Sequence, residues 1–106
     1  MSQDPAGPVF SALADPTRRL VVGYLARHED ATATELAGVL PVTRQAVSKH
    51  LAALGAAGLV ERRKRGREAR YRLTPRPLED AANWMAQVGA QWDDRVAALR
   101  RHLRER

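Results

Sequence analysis

Scarce residue types set the first limits on this sequence of 106 residues. Cysteine is absent, which excludes disulfide bonds, thiolate metal sites and thiol nucleophiles. Aromatic residues number only five, so the core has to be built largely from Leu, Val and Ala. The longest run without a charged residue spans residues 81–92, well short of the roughly 20 residues that cross a bilayer. Such a chain is expected to form one compact domain.

The N-terminal residues lack the basic start and apolar stretch of a signal peptide. Asp4, Pro5 and Gly7 favour an irregular segment instead. We therefore predict a flexible leader over residues 1–8, a single domain over residues 9–106 and a cytoplasmic location.

Positive charge is concentrated in the middle of the chain. The formal net charge is +6, yet residues 1–40 carry three basic and five acidic residues, and residues 77–106 carry five of each. Residues 41–76 hold ten basic residues and two acidic ones. This excess favours a polyanion as the partner of the middle segment, and a solvated basic surface is the alternative.

Helical periodicity and capping residues predict three helices in the first 40 residues. The first covers residues 9–14, and the second covers residues 16–28 with Asp15 as its N-cap. Thr32 and Glu35 have the spacing of a capping box, which predicts the start of a third, short helix.

A fourth helix is predicted to follow the third after a brief turn. Pro41 ends the third helix, Thr43 is the next N-cap, and the fourth helix runs over residues 44–57 until Gly58 closes it. Two helices joined in this way make a helix-turn-helix.

The apolar period changes from 3.6 to 2 after the fourth helix, which predicts a β-hairpin. Its strands cover residues 59–64 and 68–73, and Gly66 lies in the turn between them. A last helix follows over about residues 77–104. The predicted fold class is mainly α with a small β-hairpin: five helices and two strands.

The fourth predicted helix has two different faces. Val47, Leu51 and Leu54 fall on one narrow stripe, which we expect to be buried. The opposite side combines polar and basic residues near the helix start with small residues, which let a helix approach a duplex closely: Arg44, Gln45, Ser48, Lys49, Ala52 and Ala56. We interpret it as a DNA recognition helix, and an ordinary polar face is the alternative.

The predicted hairpin holds seven basic residues between positions 62 and 72. These are Arg62, Arg63, Lys64, Arg65, Arg67, Arg70 and Arg72. In isolation these charges repel one another. Beside a phosphate backbone they displace condensed counterions, and the release of those counterions favours binding. The hairpin is therefore predicted to be a wing that contacts sugar-phosphate or enters the minor groove, and an edge strand charged against aggregation is the alternative.

The last predicted helix carries one apolar seam, with residues spaced by three or four. The seam consists of Leu78, Ala81, Met85, Val88, Trp92, Val96, Leu99 and Leu103. A helix this long extends beyond the core of so small a domain, so part of the seam has nothing in the same chain to pack against. A symmetric dimer is the commonest way to cover such a surface. The alternative for the first half of the seam is packing against its own core.

The sequence contains no pairing of a nucleophile with a base and no glycine-rich phosphate cradle. We therefore predict that the protein is not an enzyme. His28 and His50 are interpreted as structural.

Three stretches resemble the ArsR/SmtB-type winged helix-turn-helix repressors: residues 10–25 (FSALADPTRRLVVGYL), 43–54 (TRQAVSKHLAAL) and 57–73 (AGLVERRKRGREARYRL). The resemblance implies a homodimeric regulator that binds a pseudo-palindromic DNA operator, with dimer contacts from its first and last helices. The combined candidate DNA contacts are Thr43, Arg44, Gln45, Ser48, Lys49, Arg62, Lys64, Arg65, Arg67 and Arg70. The candidate dimer contacts are Phe10, Leu13, Leu78, Ala81, Met85, Val88, Trp92, Val96 and Leu99.

The chain departs from the metal-sensing members of that family. Residues 34–37 (TELA) offer no cysteine where thiolate sensors carry theirs. In the last helix only His102 and Glu105 match the zinc-type pattern, whose other two positions hold Gly89 and Gln91. The resemblance thus implies a branch with no metal site and no cofactor. A regulator that depends on a protein partner, or on a ligand or metal held by the last helix, is the alternative.

Overall fold

The computed structural model describes residues 6–105. Its elements, in chain order, are α1 (Gly7–Ala12), α2 (Pro16–Arg27), β1 (Ala31–Thr32), α3 (Ala33–Val39), α4 (Arg44–Ala56), β2 (Val60–Arg65), β3 (Glu68–Leu73) and α5 (Pro75–Arg104). The predicted helices and hairpin are confirmed, with bounds that agree within two residues.

Helix α1 starts earlier than the sequence pattern indicated. It begins at Gly7, and Pro8 occupies its first turn, where a missing N–H costs no hydrogen bond. Ala6 is buried, as is Val9. The predicted leader over residues 1–8 is therefore wrong for its last residues, while residues 1–5 lie outside the described part of the chain.

Helix α4 has the predicted caps at both ends. The Thr43 hydroxyl accepts a hydrogen bond from the Ala46 N–H at 3.1 Å. At the other end Gly58 adopts a φ of +77°, and the Leu59 N–H donates to the Leu54 carbonyl at 2.9 Å. This is the Schellman arrangement, which satisfies a carbonyl that the helix leaves unpaired. The cap turns the chain directly from α4 into β2.

The sheet has three strands and not the two that we predicted. All pairs are antiparallel, in the order β1-β3-β2, and β1 adds Ala31 opposite Tyr71 and Thr32 opposite Arg70. A strand of two residues shows no period, so the sequence pattern could not reveal it. Strand β1 ties the hairpin to the start of α3.

The hydrophobic core lies between α1, α2, α3, α4 and the base of the hairpin. Its largest fully buried side chains are Leu36, Leu51, Leu54, Leu59, Val9, Val21 and Val47. The predicted buried stripe of α4 is thus confirmed. Burial of each such side chain contributes about 1.5–3 kcal/mol to folding stability. Because the buried stripe of α4 has to face the core, the opposite side of the helix faces outward.

Within residues 6–105, helix α5 packs against the core through its N-terminal part. Ala81 is buried in the core and Leu78 packs against it. The Phe10 and Trp84 rings meet edge to face with their centroids 5.7 Å apart. With 30 residues the helix is about 45 Å long. Within residues 6–105, no helix combines the length and apolar character that crossing a membrane requires.

Candidate nucleic-acid interface

The outward face of α4 carries the predicted DNA-contact residues of the helix-turn-helix. Thr43, Arg44, Gln45, Ser48 and Lys49 are all exposed and line one open concavity at the helix start. Within the described residues, the side chains of Arg44, Gln45 and Lys49 have no hydrogen bond or ion pair to another residue. Their donors and acceptors are therefore available to a partner.

Small residues continue the same face toward the end of α4. Ala52 and Ala56 are exposed. The buried stripe of α4 lies on the opposite side of the same helix and faces the core. Because these side chains stop at Cβ, a rigid surface such as a groove wall can approach the α4 backbone closely.

The wing and α4 share a cleft. Arg62 and Tyr71 face each other across β2 and β3, and both line the cavity that Ser48 also borders. A neighbouring cavity is lined by Arg44 and Arg67 together with the same three residues. Four predicted contacts, Arg44, Ser48, Arg62 and Arg67, thus surround one space.

Two other predicted wing contacts lie elsewhere. Lys64 and Arg65 line a cavity beside Arg63 and Arg72, next to the connection between α2 and β1. Both are exposed and near the tip of the hairpin, but the structure does not bring them into the cleft beside α4. Their contact with DNA stays a prediction.

Carboxylates neutralise part of the positive charge of the wing. Glu61 lies 3.2 Å from Arg63 and 3.7 Å from Arg72, in exposed ion pairs. By contrast, Arg62 and Arg67 make no ion pair with any described residue. In the described part of the chain, the unpaired charge of the wing beside the α4 cleft therefore comes from Arg62 and Arg67, and Lys64 and Arg65 carry unpaired charge on the other side.

Arg70 differs from the other candidate wing contacts because carboxylates surround its side chain. Its side chain is only 18% exposed, and its three guanidinium nitrogens donate to Asp30 at 2.9 Å, to Glu35 at 3.2 Å and to Glu68 at 3.2 Å. The hydrogen bond to Asp30, more than any other contact, raises the pKa of Arg70 above its ordinary value. Most of its donors are engaged inside the protein, and its contact with DNA stays a prediction.

Glu35 explains why only half of the predicted capping box forms. The Thr32 hydroxyl accepts from the Glu35 N–H at 3.0 Å, as expected. The Glu35 carboxylate, however, pairs with Arg70. Nothing in the local sequence indicates this partner, because it lies 35 residues further along the chain.

His28 and His50 both make contacts within the protein. Arg18 donates from Nε to Nδ1 of His50 at 3.3 Å, which joins α2 to α4. The His28 ring stacks on Tyr24 with centroids 3.9 Å apart, and its Nδ1 lies 2.8 Å from the Tyr24 carbonyl oxygen. Neither ring is positioned as part of a metal cluster, and the described residues contain no group of three or more side chains that could hold a metal ion.

The apolar seam of α5 divides into two parts. Ala81 is 1% exposed, and Leu13 and Leu78 pack against the core, so the prediction that Ala81 lies at a dimer interface is wrong. The remaining seam stays open: Met85, Val88, Trp92, Leu99 and Leu103 are between 44% and 61% exposed, and Val96 is half-buried. Phe10 of α1 is 37% exposed. Trp84, which is 50% exposed, extends this surface. The pattern missed it although it is three residues from Ala81 and four from Val88.

Comparison with known proteins identifies relatives over most of the chain. A family model described as a helix-turn-helix domain matches residues 13–63. The transcriptional repressor SdpR of Bacillus subtilis is 34% identical over 77 residues, which cover 73% of this chain and 84% of SdpR. The arsenical resistance operon repressor of Escherichia coli is 32% identical over 95 residues, 90% of this chain and 81% of that repressor. A solved structure titled ArsR-like transcriptional regulator, from Rhodococcus sp. RHA1, superposes with a TM-score of 0.78 at 47% identity, covering 90% of this chain and 89% of that one.

Proposed function

Because the chain belongs to the ArsR/SmtB family of winged helix-turn-helix transcriptional regulators, we propose that it is a homodimeric repressor that binds a pseudo-palindromic DNA operator. The observation that carries the proposal is the outward face of α4, whose polar side chains have no partner within the described residues and which lies beside unpaired cations of the wing.

In the proposed complex α4 enters the major groove. The Arg44 guanidinium donates two hydrogen bonds to guanine, and the Gln45 amide pairs with adenine. Lys49 contacts a base edge or a phosphate, while Ala52 and Ala56 allow the helix to sit deep in the groove. Arg62 and Arg67 lie along the adjacent backbone and add affinity that does not depend on sequence. The bound protein occludes the promoter, and it acts in the cytoplasm as a binding protein without enzymatic activity.

The proposed dimer forms through the open part of the α5 seam together with Phe10. Two copies related by a twofold axis present their α4 helices to successive major grooves, so the half-sites lie about 10 base pairs apart. The proposal includes no metal or cofactor.

Selection of bound sequences from a random duplex pool tests this function. We expect one enriched motif with an inverted repeat, and fluorescence anisotropy should then give a Kd for this duplex at least about 10³-fold lower than for an unrelated one at the same salt concentration. Equal affinity for all duplexes would contradict a sequence-specific repressor and leave a non-specific DNA-binding protein.

A second candidate function rests on the same open seam. In it, α5 binds a different protein, and this partner or a small effector controls DNA binding. Light scattering at micromolar concentration separates the two: a dimer supports the homodimeric repressor, whereas a monomer favours the partner-dependent regulator. Dialysis followed by elemental analysis tests a metal effector, and stoichiometric zinc would contradict the metal-free proposal.

A further inference from the structure

Arg70 connects three segments of the protein through a single side chain. It lies on β3, the central strand, opposite Thr32 of β1. Its guanidinium reaches Asp30 in the connection before β1, Glu35 in the first turn of α3 and Glu68 at the start of β3. The wing is thereby joined to the helix-turn-helix by charged hydrogen bonds, which are stronger than neutral ones.

The outer part of the wing has little else to hold it in place. Strand β1 pairs only with Arg70 and Tyr71, so from Ala69 to Lys64 the hairpin consists of two strands alone. An isolated two-stranded hairpin is at best marginally stable in water. Among the described residues, Arg70 therefore makes the outermost hydrogen bonds between the body of the protein and the segment that carries Arg67.

On the side of the α4 cleft, the carboxylates around Arg70 oppose a direct phosphate contact; on its other side Arg70 lines a cavity that also contains Arg63, Lys64, Arg65 and Arg72. One guanidinium is surrounded by three carboxylates, so the cluster as a whole has a charge of −2. Glu35 and Glu68 also line the cleft beside α4 that contains Arg44 and Arg62. A phosphate that approached Arg70 from this cleft would have to approach these carboxylates too.

We propose that Arg70 is the positioning residue of the wing: by binding Asp30, Glu35 and Glu68 it holds the outer part of the hairpin, and with it Arg67, at a fixed place beside α4, and it raises DNA affinity without contacting DNA. The contribution to affinity rests on the proposed DNA-binding function. The control of wing position does not, because it acts in the free protein.

Amide hydrogen exchange of the free protein tests the positioning step. In Arg70→Met and Arg70→Lys, the amides of residues 64–69 should exchange several-fold faster than in the wild type, while amides in the middle of α4 stay protected. Lysine keeps the charge but lacks the planar fork that reaches three carboxylates. Arg67→Met is the matched control and should leave wing exchange unchanged. Unchanged wing exchange in both Arg70 variants would overturn the proposal.

A double-mutant cycle tests whether Arg70 acts through its carboxylates. Arg70→Met should weaken binding to any duplex about tenfold in the wild-type background, and at most about twofold when Asp30→Asn and Glu35→Gln are already present. Arg44→Met should have the same effect in both backgrounds, because Arg44 lies on α4 and has no hydrogen bond or ion pair with Arg70 or its carboxylates. An equal loss from Arg70→Met in both backgrounds would mean a direct DNA contact and would refute the positioning role.

The two readouts stay informative if one variant or the wider function fails. Should Arg70→Met not fold, as circular dichroism would reveal, Arg70→Lys replaces it in both experiments. Should the protein prefer no sequence, the cycle still runs on an arbitrary duplex. Should it bind no DNA, faster wing exchange in the Arg70 variants would still support the positioning step, and unchanged exchange would still overturn it.

Discussion

Among the basic side chains, ion pairing separates those available to a phosphate from those used inside the protein. Arg63 and Arg72 share Glu61, and Arg70 holds three carboxylates. Exposed pairs such as Arg63–Glu61 add little stability, so their main effect is on the local potential. The positive charge that remains beside α4 comes from Arg62 and Arg67.

At the start of α4, Arg44 and Lys49 are expected to determine sequence preference. Replacing both by Ala should reduce the preference for the selected operator over an unrelated duplex, because each well-placed pair of hydrogen bonds to a base is worth about 1–3 kcal/mol. Competition anisotropy measures the ratio of the two Kd values. Arg100→Ala on α5 removes the same type of charge and should leave the ratio unchanged. A preserved ratio in the Arg44 and Lys49 variant would exclude these residues from base recognition.

Asp15 gives a pH-dependent contribution to stability. Its carboxylate accepts hydrogen bonds from the N–H groups of Thr17 and Arg18, and the bond from Arg18 is the main reason that its pKa is lowered. Folding therefore favours the charged form. The contribution is complete above the unfolded pKa of about 4 and is lost as the pH falls through the lower folded value.

Asp15→Asn tests this contribution, because asparagine still caps a helix but carries no charge. Urea unfolding should find the variant less stable than the wild type at pH 7, with a difference that shrinks below about pH 4. Asp94→Asn, on the exposed part of α5, is the control. A difference that stays constant or grows as the pH falls would contradict the assigned role.

At the scale of elements, α4 should depend on its small residues as much as on its charged ones. Ala52→Leu places a large side chain on the outward face, where it separates the helix from a groove wall. DNA affinity should fall about tenfold or more, while the free energy of unfolding changes by no more than about 0.5 kcal/mol because the site is exposed.

Ala97→Leu provides the matched control for Ala52→Leu. Ala97 is an exposed helical position on α5, on the side away from the apolar seam. Anisotropy should find its affinity equal to that of the wild type. If Ala52→Leu also bound DNA normally, the outward face of α4 would not enter a groove.

Periodicity and caps predicted the elements because both are local. Val47, Leu51 and Leu54 repeat at helical spacing, and Thr43 and Gly58 mark the ends of α4 in the sequence itself. Contacts between residues far apart in the chain give no such local signal. Arg70 binds Asp30, which is 40 positions away, so the local sequence indicated a wing arginine without an ion pair. The pairing of Ala31 with Tyr71 escaped prediction for the same reason.

At the scale of the whole molecule, the apolar seam on the C-terminal part of α5 stays exposed in a single copy of the chain. The molecule measures 70 × 33 × 22 Å, and Trp92 and Leu99 are 61% and 58% exposed. Exposed apolar surface of this extent indicates a protein-protein interface. A partner along α5 would also fix the distance between two α4 helices.

Trp92→Glu should weaken the proposed dimer. Replacing a central tryptophan of an interface by a smaller or charged residue lowers the binding free energy by about 2 kcal/mol or more. The dimer Kd should therefore rise about 30-fold or more. Analytical ultracentrifugation over a concentration series measures this shift. Ala97→Glu adds the same charge away from the seam and should leave the Kd unchanged. If Trp92→Glu stayed as dimeric as the wild type, the seam would not form the interface.

The spacing of half-sites tests the central claim most directly, because two α4 helices held by one rigid dimer can match only one separation along the duplex. Starting from the selected operator, insertion of five base pairs between the half-sites rotates them by about half a turn. We expect the affinity to fall about 10³-fold, to the range of non-specific binding, while five extra base pairs outside the half-sites have no effect. Unchanged affinity for the operator with the internal insertion would contradict paired recognition by a dimer.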